Sequence, residues 1–491
     1  MVRPWYLLLL LAVLLIPDAV VSKKKHGHHK HGYDDLVSSV NVCDSQHQQI
    51  LCCFCDSFSP GTAEDANCWV CNERPPGNAI WDSFSSQQNI THISFTVRPG
   101  SSLSIIPTRA LSRLPKLTTV KVQYAIVAEV PSFALANASL LREATLARNQ
   151  ILSLRPSAFA NLPMLSTLDL SENRLSSVPS DAFGPHLPEL RRLFLDRNNI
   201  SAVADGAFKH LTHLEELELN SNELTDIQKN TFLGLQSLKR IDLRSNRLVV
   251  LRDGTFLETP SLQELDMDEN KLELVEPKAF EGLHRLMRLR LRDNKLKLLS
   301  DSTFVGVNNV HFLDLRDNDL LTLTATAVEP LRRNLKNVTM SFYLEGNNLV
   351  CDCRLAWMHD VHNETANERV RSSLEELKCR LHRDMAAAAA AAVGITLLPT
   401  EDTEEQGDDA GLRRDDYEEE GHSGGDVVIH LLQIPPEVLP CPEERRVLPL
   451  DVDEETLFTA EEEVSGVSGA VKEEAVIVLI AALSVARLVI S

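Results

Sequence analysis

A repeat of 24 residues occupies the middle of this 491-residue chain. Seven segments, from LSTLDLSENRL to VHFLDLRDNDL, fit one pattern, LxxLxLxxNxL. The asparagine recurs every 24 residues, with a single step of 25, at Asn149, Asn173, Asn198, Asn222, Asn246, Asn270, Asn294 and Asn318. A phenylalanine lies ten residues after seven of these asparagines, at Phe159, Phe183, Phe208, Phe232, Phe256, Phe280 and Phe304. Period and phase agree over too many copies for chance, so the chain is predicted to stack copies of one short unit.

The pattern is that of the leucine-rich repeat, and each of its positions has a physical role. Alternate residues of a strand face the same side, so Leu168 and Leu170 are expected to bury themselves against the next repeat. The asparagine amide can bond backbone groups that no regular ladder satisfies. The phenylalanines can stack as a spine on the far side, and burial of each contributes roughly 1.5–3 kcal/mol.

These repeats predict the fold class, an α/β leucine-rich repeat solenoid that is curved and has a parallel sheet on its concave face. A degenerate repeat at Val120 and Val122 keeps the 24-residue phase, and a weaker one surrounds Phe95. We therefore place the solenoid at residues 85–350, with about ten to eleven repeats. Because each repeat touches only its neighbours, both ends of the stack need caps.

Cysteines occur only at the two ends of the predicted solenoid, which places the caps at residues 43–84 and 351–441. Each group holds an even number of cysteines and can close on itself. All ten are predicted to form disulfides: Cys43, Cys52, Cys53, Cys55, Cys68, Cys71, Cys351, Cys353, Cys379 and Cys441. The CxxC spacing would also suit zinc, whereas a secreted chain favours disulfides. The first six cysteines allow fifteen pairings, and the sequence does not choose between them.

Both ends of the chain carry apolar stretches. Residues 1–22 have the order of a secretory signal peptide, with Arg3, a Leu-rich core and small residues. Residues 471–491 resemble the spacer and apolar tail of a glycosylphosphatidylinositol (GPI) signal, with Ser465 or Ser468 as the attachment residue. The alternative is a single membrane span, for which the apolar run is short. The expected location is the outer face of the plasma membrane.

The exposed residues of the predicted strands carry charges whose net sign alternates from each repeat to the next. Opposite charges in strands about 4.8 Å apart can pair within the molecule. Alternatively, two molecules that meet in antiparallel fashion about a two-fold axis place every positive row against a negative one. The residues predicted to bind a partner on the concave face are Arg191, Arg192, Phe194, Glu215, Glu216, Glu218, Lys239, Arg240, Arg244, Glu264, Asp266, Asp268, Arg288, Arg290 and Arg292.

Other segments fall outside the repeats. Residues 23–42 begin with KKKHGHHKHG, which could contact heparan sulfate or a metal but is more typical of a solvated tail. The Ala-rich and acidic insertion 383–425 and the acidic stalk 442–470 cannot bury a core and are expected to be disordered or extended. Tyr417 has an acidic context typical of sulfation. Five N-glycosylation sequons suit an extracellular surface, at Asn89, Asn137, Asn199, Asn337 and Asn363.

Several function classes are disfavoured. The net charge of −21 argues against nucleic acid as a partner. The sequence has no nucleophile motif, no phosphate-binding loop and no His/Glu zinc spacing. We therefore expect no enzymatic activity and no cofactor, and a binding module is the strongest class.

A family resemblance rests on features outside the repeats. The basic segment after the signal, the cap motifs CWV, WDSF and ISFTVRPG, the acidic C-terminal region and the apolar end resemble the connectin family of insect cell-surface adhesion proteins. The resemblance implies homophilic adhesion in neuron-muscle or axon-target recognition, and a GPI anchor. The flank LEGNNLVCDCRLAWMHD resembles that of extracellular leucine-rich repeat proteins, which implies pairing of Cys351 with Cys379 and of Cys353 with Cys441. The alternative is a Toll-like or chaoptin-like receptor or co-receptor without its own signalling domain.

Overall fold

The computed structural model describes residues 41–44, 51–72, 76–136, 138–382, 385, 391 and 426–441. Several predictions lie outside these residues. They are the signal peptide 1–22, the basic run KKKHGHHKHG, most of the insertion 383–425, the stalk 442–470, the tail 471–491, Asn137, Tyr417, Ser465 and Ser468.

Short strands dominate the described residues. The strands are β1 (Leu51–Cys55), β2 (Asp65–Val70), β3 (His92–Val97), β4 (Thr119–Gln123), β5 (Glu129–Val130), β6 (Glu143–Thr145), β7 (Ser153–Leu154), β8 (Thr167–Asp169), β9 (Ser177–Val178), β10 (Arg192–Phe194), β11 (Ala202–Val203), β12 (Glu216–Glu218), β13 (Arg240–Asp242), β14 (Val250–Leu251), β15 (Glu264–Asp266), β16 (Leu274–Val275), β17 (Arg288–Arg290), β18 (Phe312–Asp314), β19 (Ser341–Tyr343), β20 (Lys378–His382) and β21 (Asp426–His430).

Thirteen of these strands form one sheet in the order β1-β2-β3-β4-β6-β8-β10-β12-β13-β15-β17-β18-β19. Strand β1 pairs with β2 in antiparallel fashion, and the remaining pairs of this sheet are parallel. The register is constant, because Arg192 lies opposite Glu216 and Glu216 lies opposite Arg240. Residues at one position of the repeat therefore form a column that crosses the sheet. The predicted solenoid with a parallel sheet is confirmed.

Helices are short and lie mainly near the two ends of the sheet. The α-helices are Thr108–Leu111, Ala325–Val328, Arg332–Leu335, Trp357–Glu364 and Glu368–Glu375. The 3-10 helices are Ala79–Gln87, Glu329–Leu331, Cys353–Leu355, Leu431–Gln433 and Pro436–Val438. Turns and two-residue strands connect the rows between β4 and β18, and the step between rows is 24 residues except for one of 25, from β8 to β10.

Two side-chain ladders hold the repeats together. Asn222 donates from Nδ2 to the carbonyl oxygens of Leu195 and Leu219, at 3.0 and 2.9 Å, and its Oδ1 accepts from the backbone N–H of Ile200. The other ladder asparagines repeat this arrangement, so each one closes its own turn and ties it to the preceding row. The seven phenylalanines are buried and stack in places, with ring centroids 5.7 Å apart for Phe232 and Phe256. Both predicted roles are confirmed.

Disulfides hold the hairpin β1–β2, which covers the first edge of the sheet. The bonds join Cys43 to Cys55 and Cys53 to Cys68. The prediction that all ten cysteines form disulfides is wrong for Cys52 and Cys71, because their Sγ atoms lie 3.7 Å apart rather than at a bonded distance of about 2 Å. The two thiols instead form a sulfur–sulfur hydrogen bond, and the Cys71 thiol also donates to the carbonyl of Trp69 at 3.9 Å.

The last strands are covered by the C-terminal cap. Cys351 is bonded to Cys379, as the family resemblance implies, and Cys353 and Cys441 are disulfide-bonded as well. Trp357 is buried and its indole N–H donates to the carbonyl of Leu323 at 2.8 Å. The core therefore stays shielded from water at the end of the stack, as a solenoid requires.

Candidate interface on the concave sheet

The concave face presents the predicted partner-binding residues in two sets of columns. In each row, two residues precede the first buried strand residue, such as Arg191 and Arg192. Across the rows these residues form what we call the edge columns. The residue between the two buried strand residues, such as Glu218, and the residue two positions later, such as Asn220, lie beside the edge columns. Across the rows these residues form what we call the midline. All fifteen predicted residues fall in these columns, so the constant register brings them onto one surface.

Edge-column charges pair between neighbouring rows. Glu215 lies 2.6 Å from Arg191 on one side and 2.6 Å from Lys239 on the other. Their hydrogen bonds hold the pKa of Glu215 below its usual value. Arg288 pairs likewise with Glu264 at 3.7 Å. These contacts are what the intramolecular interpretation of the alternating charges predicts, and each exposed pair contributes only about 0–1 kcal/mol.

The midline is different, because acids outnumber bases there over five consecutive rows. We call this set the acidic strip: Asp169, Asp196, Glu218, Asp242, Asp266 and Asp268. Asp266 pairs with Arg290 at 2.9 Å, and Asp242 has Arg240 and Arg244 at 3.8 Å.

Four members of the acidic strip lack such a partner. Within the described part of the chain, no ion pair is formed by Asp169, Asp196, Glu218 or Asp268. Asp268 accepts the backbone N–H of Arg292 at 2.7 Å, which satisfies one lone pair but supplies no full charge. The strip therefore keeps negative charge that the molecule does not neutralise.

Burial and mutual repulsion shift the protonation of the strip. Desolvation, with the neighbouring charges of Asp196, Asp242 and Glu216, raises the pKa of Glu218 to about 7, and the charge of Arg240 opposes this shift only weakly. Burial, with the charges of Asp169 and Glu172, raises the pKa of Asp196, and burial with the charge of Asp266 raises the pKa of Asp242.

Asp268 has a similar environment in the last row of the strip. Desolvation and the charges of Asp266 and Asp314 raise the pKa of Asp268 to about 7, against the opposing charge of Arg290. Ionising the strip therefore costs free energy in the isolated molecule, and a cation bound there would lower that cost.

One neutral side chain beside the strip also lacks a partner. Asn220 is only 7% exposed, and its Oδ1 has no hydrogen bond with any residue that the structure describes. It lies in the same column as Asp196 and two residues after Glu218, on the same face of the strand. A buried acceptor without a donor costs about 1–3 kcal/mol, so this position favours a ligand that donates hydrogen bonds.

Aromatic residues occupy both kinds of column near the C-terminal cap, Phe312 in an edge column and Tyr343 in the midline. Phe312 and Tyr343 contact edge to face, with ring centroids 5.7 Å apart. Arg290 lies over the Phe312 ring and Arg316 over the Tyr343 ring, at 5.3 and 4.7 Å. A count of charges in the sequence misses these aromatic residues and Asn220. Their positions within the repeat, which place them in the columns of the concave face, could have indicated them.

The described sequons differ in accessibility. Asn199, Asn337 and Asn363 are exposed, and Asn199 donates to Glu223 at 3.2 Å. Asn89 is only half-exposed, with Nδ2 donating to the carbonyl of Gly61 and Oδ1 accepting from Lys116. A glycan on Asn89 would require these bonds to break, so the three exposed sites are better placed for modification.

Two other kinds of site are absent from the described ranges, a metal centre and a membrane-spanning helix. No group of three or more His, Cys, Asp or Glu side chains there is arranged to hold a metal ion. No helix in the same ranges has both the length and the apolar character that a bilayer crossing requires.

Comparison with known proteins agrees with this geometry. The family model described as Leucine rich repeat matches residues 139–195, 188–248, 236–296 and 260–320. The chain carries leucine-rich repeats and resembles connectin. Drosophila melanogaster connectin is 32% identical over 134 residues, which cover 26% of this chain and 19% of connectin. The chain therefore aligns with about a fifth of that relative's length.

Two further similarities involve other leucine-rich repeat proteins. Leucine-rich repeat-containing G-protein coupled receptor 5 of Rattus norvegicus is 33% identical over 102 residues, which cover 16% of this chain and 11% of the receptor. A chain of the solved octameric complex of Latrophilin 3, Unc5D and FLRT2 is 26% identical with a TM-score of 0.43, covering 56% of this chain and 73% of that one.

Proposed function

We propose that this chain is a cell-surface adhesion protein that binds a second copy of itself on an apposed cell through the concave face of its sheet. Its setting would be neuron-muscle or axon-target recognition, as the resemblance to connectin implies. The observation that carries the proposal is the alternation of charge on a surface with constant register. Such a surface is complementary to its own copy when the two meet about a two-fold axis.

Internal pairing of the edge columns is compatible with this binding. Arg191, Glu215 and Lys239 are all about one-third to one-half exposed, so water screens their contacts. Exchanging such a contact for an equivalent one across an interface changes the free energy little. The alternating rows then contribute mainly to orientation and specificity, as complementary charges do at other interfaces.

Attachment to the membrane is proposed to be through a GPI anchor at Ser465 or Ser468. The small residues, the spacer and the apolar tail that follow support it. Phosphatidylinositol-specific phospholipase C should release the protein from the surface of intact cells. Protein that stays on the cells after complete digestion of a known GPI-anchored marker would contradict the anchor.

Aggregation of non-adhesive cells that express the full chain tests the adhesive function. Cells expressing the chain should bind one another and should exclude non-expressing cells. The triple variant Arg288→Glu, Arg290→Glu and Arg292→Glu should aggregate several-fold less, because it turns a positive row negative. A matched triple reversal at Lys209, Lys229 and Lys278, exposed residues outside the concave columns, should leave aggregation unchanged.

Surface display of each variant, measured by antibody against an epitope tag, controls for folding and export. Equal loss in both triple variants would contradict binding through the concave face. Adhesion to non-expressing cells would instead show a heterophilic partner, as the receptor or co-receptor alternative predicts.

A further inference from the structure

Within the residues that the structure describes, the acidic strip is a part of the concave face where several carboxylates have no ion pair. Several edge-column charges pair with the neighbouring row, whereas Asp196, Glu218 and Asp268 lack an ion pair within the described residues. Beside them the buried Oδ1 of Asn220 lacks a donor. A group that carries positive charge and several N–H donors would satisfy both kinds of atom, and a lysine ammonium has these properties.

A protein cation fits the strip better than a metal ion. No cluster of three or more metal-ligating side chains occurs in the described part of the chain. The carboxylates are instead spread over five rows, which at about 4.8 Å per row span about 19 Å. An extended peptide covers that length with about six residues, at roughly 3.3 Å each.

The chain contains one segment of this chemistry. Residues 23–32, KKKHGHHKHG, hold four lysines and four histidines and no acid. The remainder of the chain is strongly acidic, since the whole carries a net charge of −21.

We propose that the acidic strip is the docking site for residues 23–32 of a second copy of this chain, an inference that rests on the proposed homophilic adhesion. Lysine ammonium groups of the segment occupy the strip between Asp169 and Asp268. One of them donates to Asn220 while it neutralises Glu218. Two reciprocal contacts form in each antiparallel pair, because each copy supplies one segment and one strip.

Binding of a labelled synthetic peptide, KKKHGHHKHG, to cells that display the full chain tests the site. The double variant Glu218→Gln, Asp268→Asn should bind the peptide about ten-fold more weakly, because it removes two charge-assisted contacts. The matched control is Glu273→Gln, Glu281→Gln, which removes the same charge at exposed residues outside the concave columns. It should bind within about two-fold of the unaltered chain. Equal weakening in both variants would overturn the proposal.

Mixing two cell populations tests whether the segment comes from a second copy. One population carries Glu218→Gln with Asp268→Asn, and the other carries Lys24→Gln, Lys25→Gln and Lys30→Gln. Each should aggregate poorly alone, and the mixture should recover adhesion because the first supplies segments and the second supplies strips. A mixture that recovers nothing would place the contact within one molecule and overturn docking between copies.

The outcomes separate this inference from the proposed function. Normal aggregation by both variant populations would overturn the docking site and leave homophilic adhesion standing. Peptide binding that depends on the strip, without any aggregation of cells bearing the unaltered chain, would overturn adhesion and with it the second copy as the source of the segment. Surface display is measured for every variant, so a chain that fails to fold is recognised and replaced by the single variant Glu218→Gln.

Discussion

Glu215 and Glu218 lie three residues apart in one repeat, and their surroundings shift their pKa values in opposite directions. Hydrogen bonds from Lys239 and Arg191 lower the pKa of Glu215, whereas burial among acids raises that of Glu218 to about 7. A carboxyl with a lowered pKa stabilises the fold above its ordinary pKa, and that stability is lost as pH falls. A carboxyl with a raised pKa binds its proton more tightly in the fold, so stability falls as pH rises toward 7.

We therefore expect Glu218→Gln to stabilise the fold at pH 8 by about 1–3 kcal/mol, and by less than about 1 kcal/mol at pH 5. Glu215→Gln should destabilise at pH 8 by about 0.2–1 kcal/mol, because it removes exposed ion pairs. Denaturant unfolding of both variants at the two pH values measures these differences. Destabilisation by both variants at pH 8 would contradict the assigned environment of Glu218.

At the scale of the element, each repeat depends on its neighbours for a core. The rings of Phe232 and Phe256 stack across two rows, and the ladder asparagines bond to the row before their own. No repeat could keep these contacts alone, so a defect in one row is expected to weaken the adjacent rows as well.

Phe256→Ala should cost about 3–5 kcal/mol, because Phe256 is fully buried and the cavity cannot collapse between rigid rows. The neighbouring Leu257 is 41% exposed, and Leu257→Ala should cost much less. Unfolding midpoints of the two variants test this difference, and hydrogen exchange should show the loss of protection in the rows on both sides of Phe256. Similar midpoints for the two variants would contradict the buried spine.

At the scale of the whole molecule, folding and adhesion are expected to depend on different forces. The core is apolar and the two caps are held by disulfides. The proposed interface is composed of charged rows and the acidic strip, and salt screens charges that are exposed to solvent.

Raising sodium chloride from about 50 mM to about 500 mM should therefore reduce cell aggregation strongly, since the screening length falls to a few ångströms. The same change should leave the thermal unfolding midpoint nearly constant. Circular dichroism of the purified full chain and aggregation counts at matched salt test the two halves of this prediction. Aggregation that is insensitive to salt would point to an apolar interface elsewhere on the molecule.

The repeat made much of the architecture predictable from sequence. Leucine, asparagine and phenylalanine positions specify the buried strand, the turn and the spine, because stacking requires the same residue at the same place in every copy. The first cap was less predictable. Six cysteines have fifteen possible pairings. The folded path of the chain brings Cys43 to Cys55 and Cys53 to Cys68, and only this proximity selects their bonds.

The sequence by itself determined the solenoid, the row period and the alternation of charge, since all three follow from a regular repeat and its register. Only the tertiary structure decided which charges neutralise one another. Edge-column side chains reach their neighbours across strands, whereas Glu218, Asp196 and Asp268 are held among other acids where no base approaches within 4 Å in the described residues. The difference between the paired edge columns and the unpaired carboxylates of the acidic strip depends on burial and distance. A count of charges along the chain contains neither quantity.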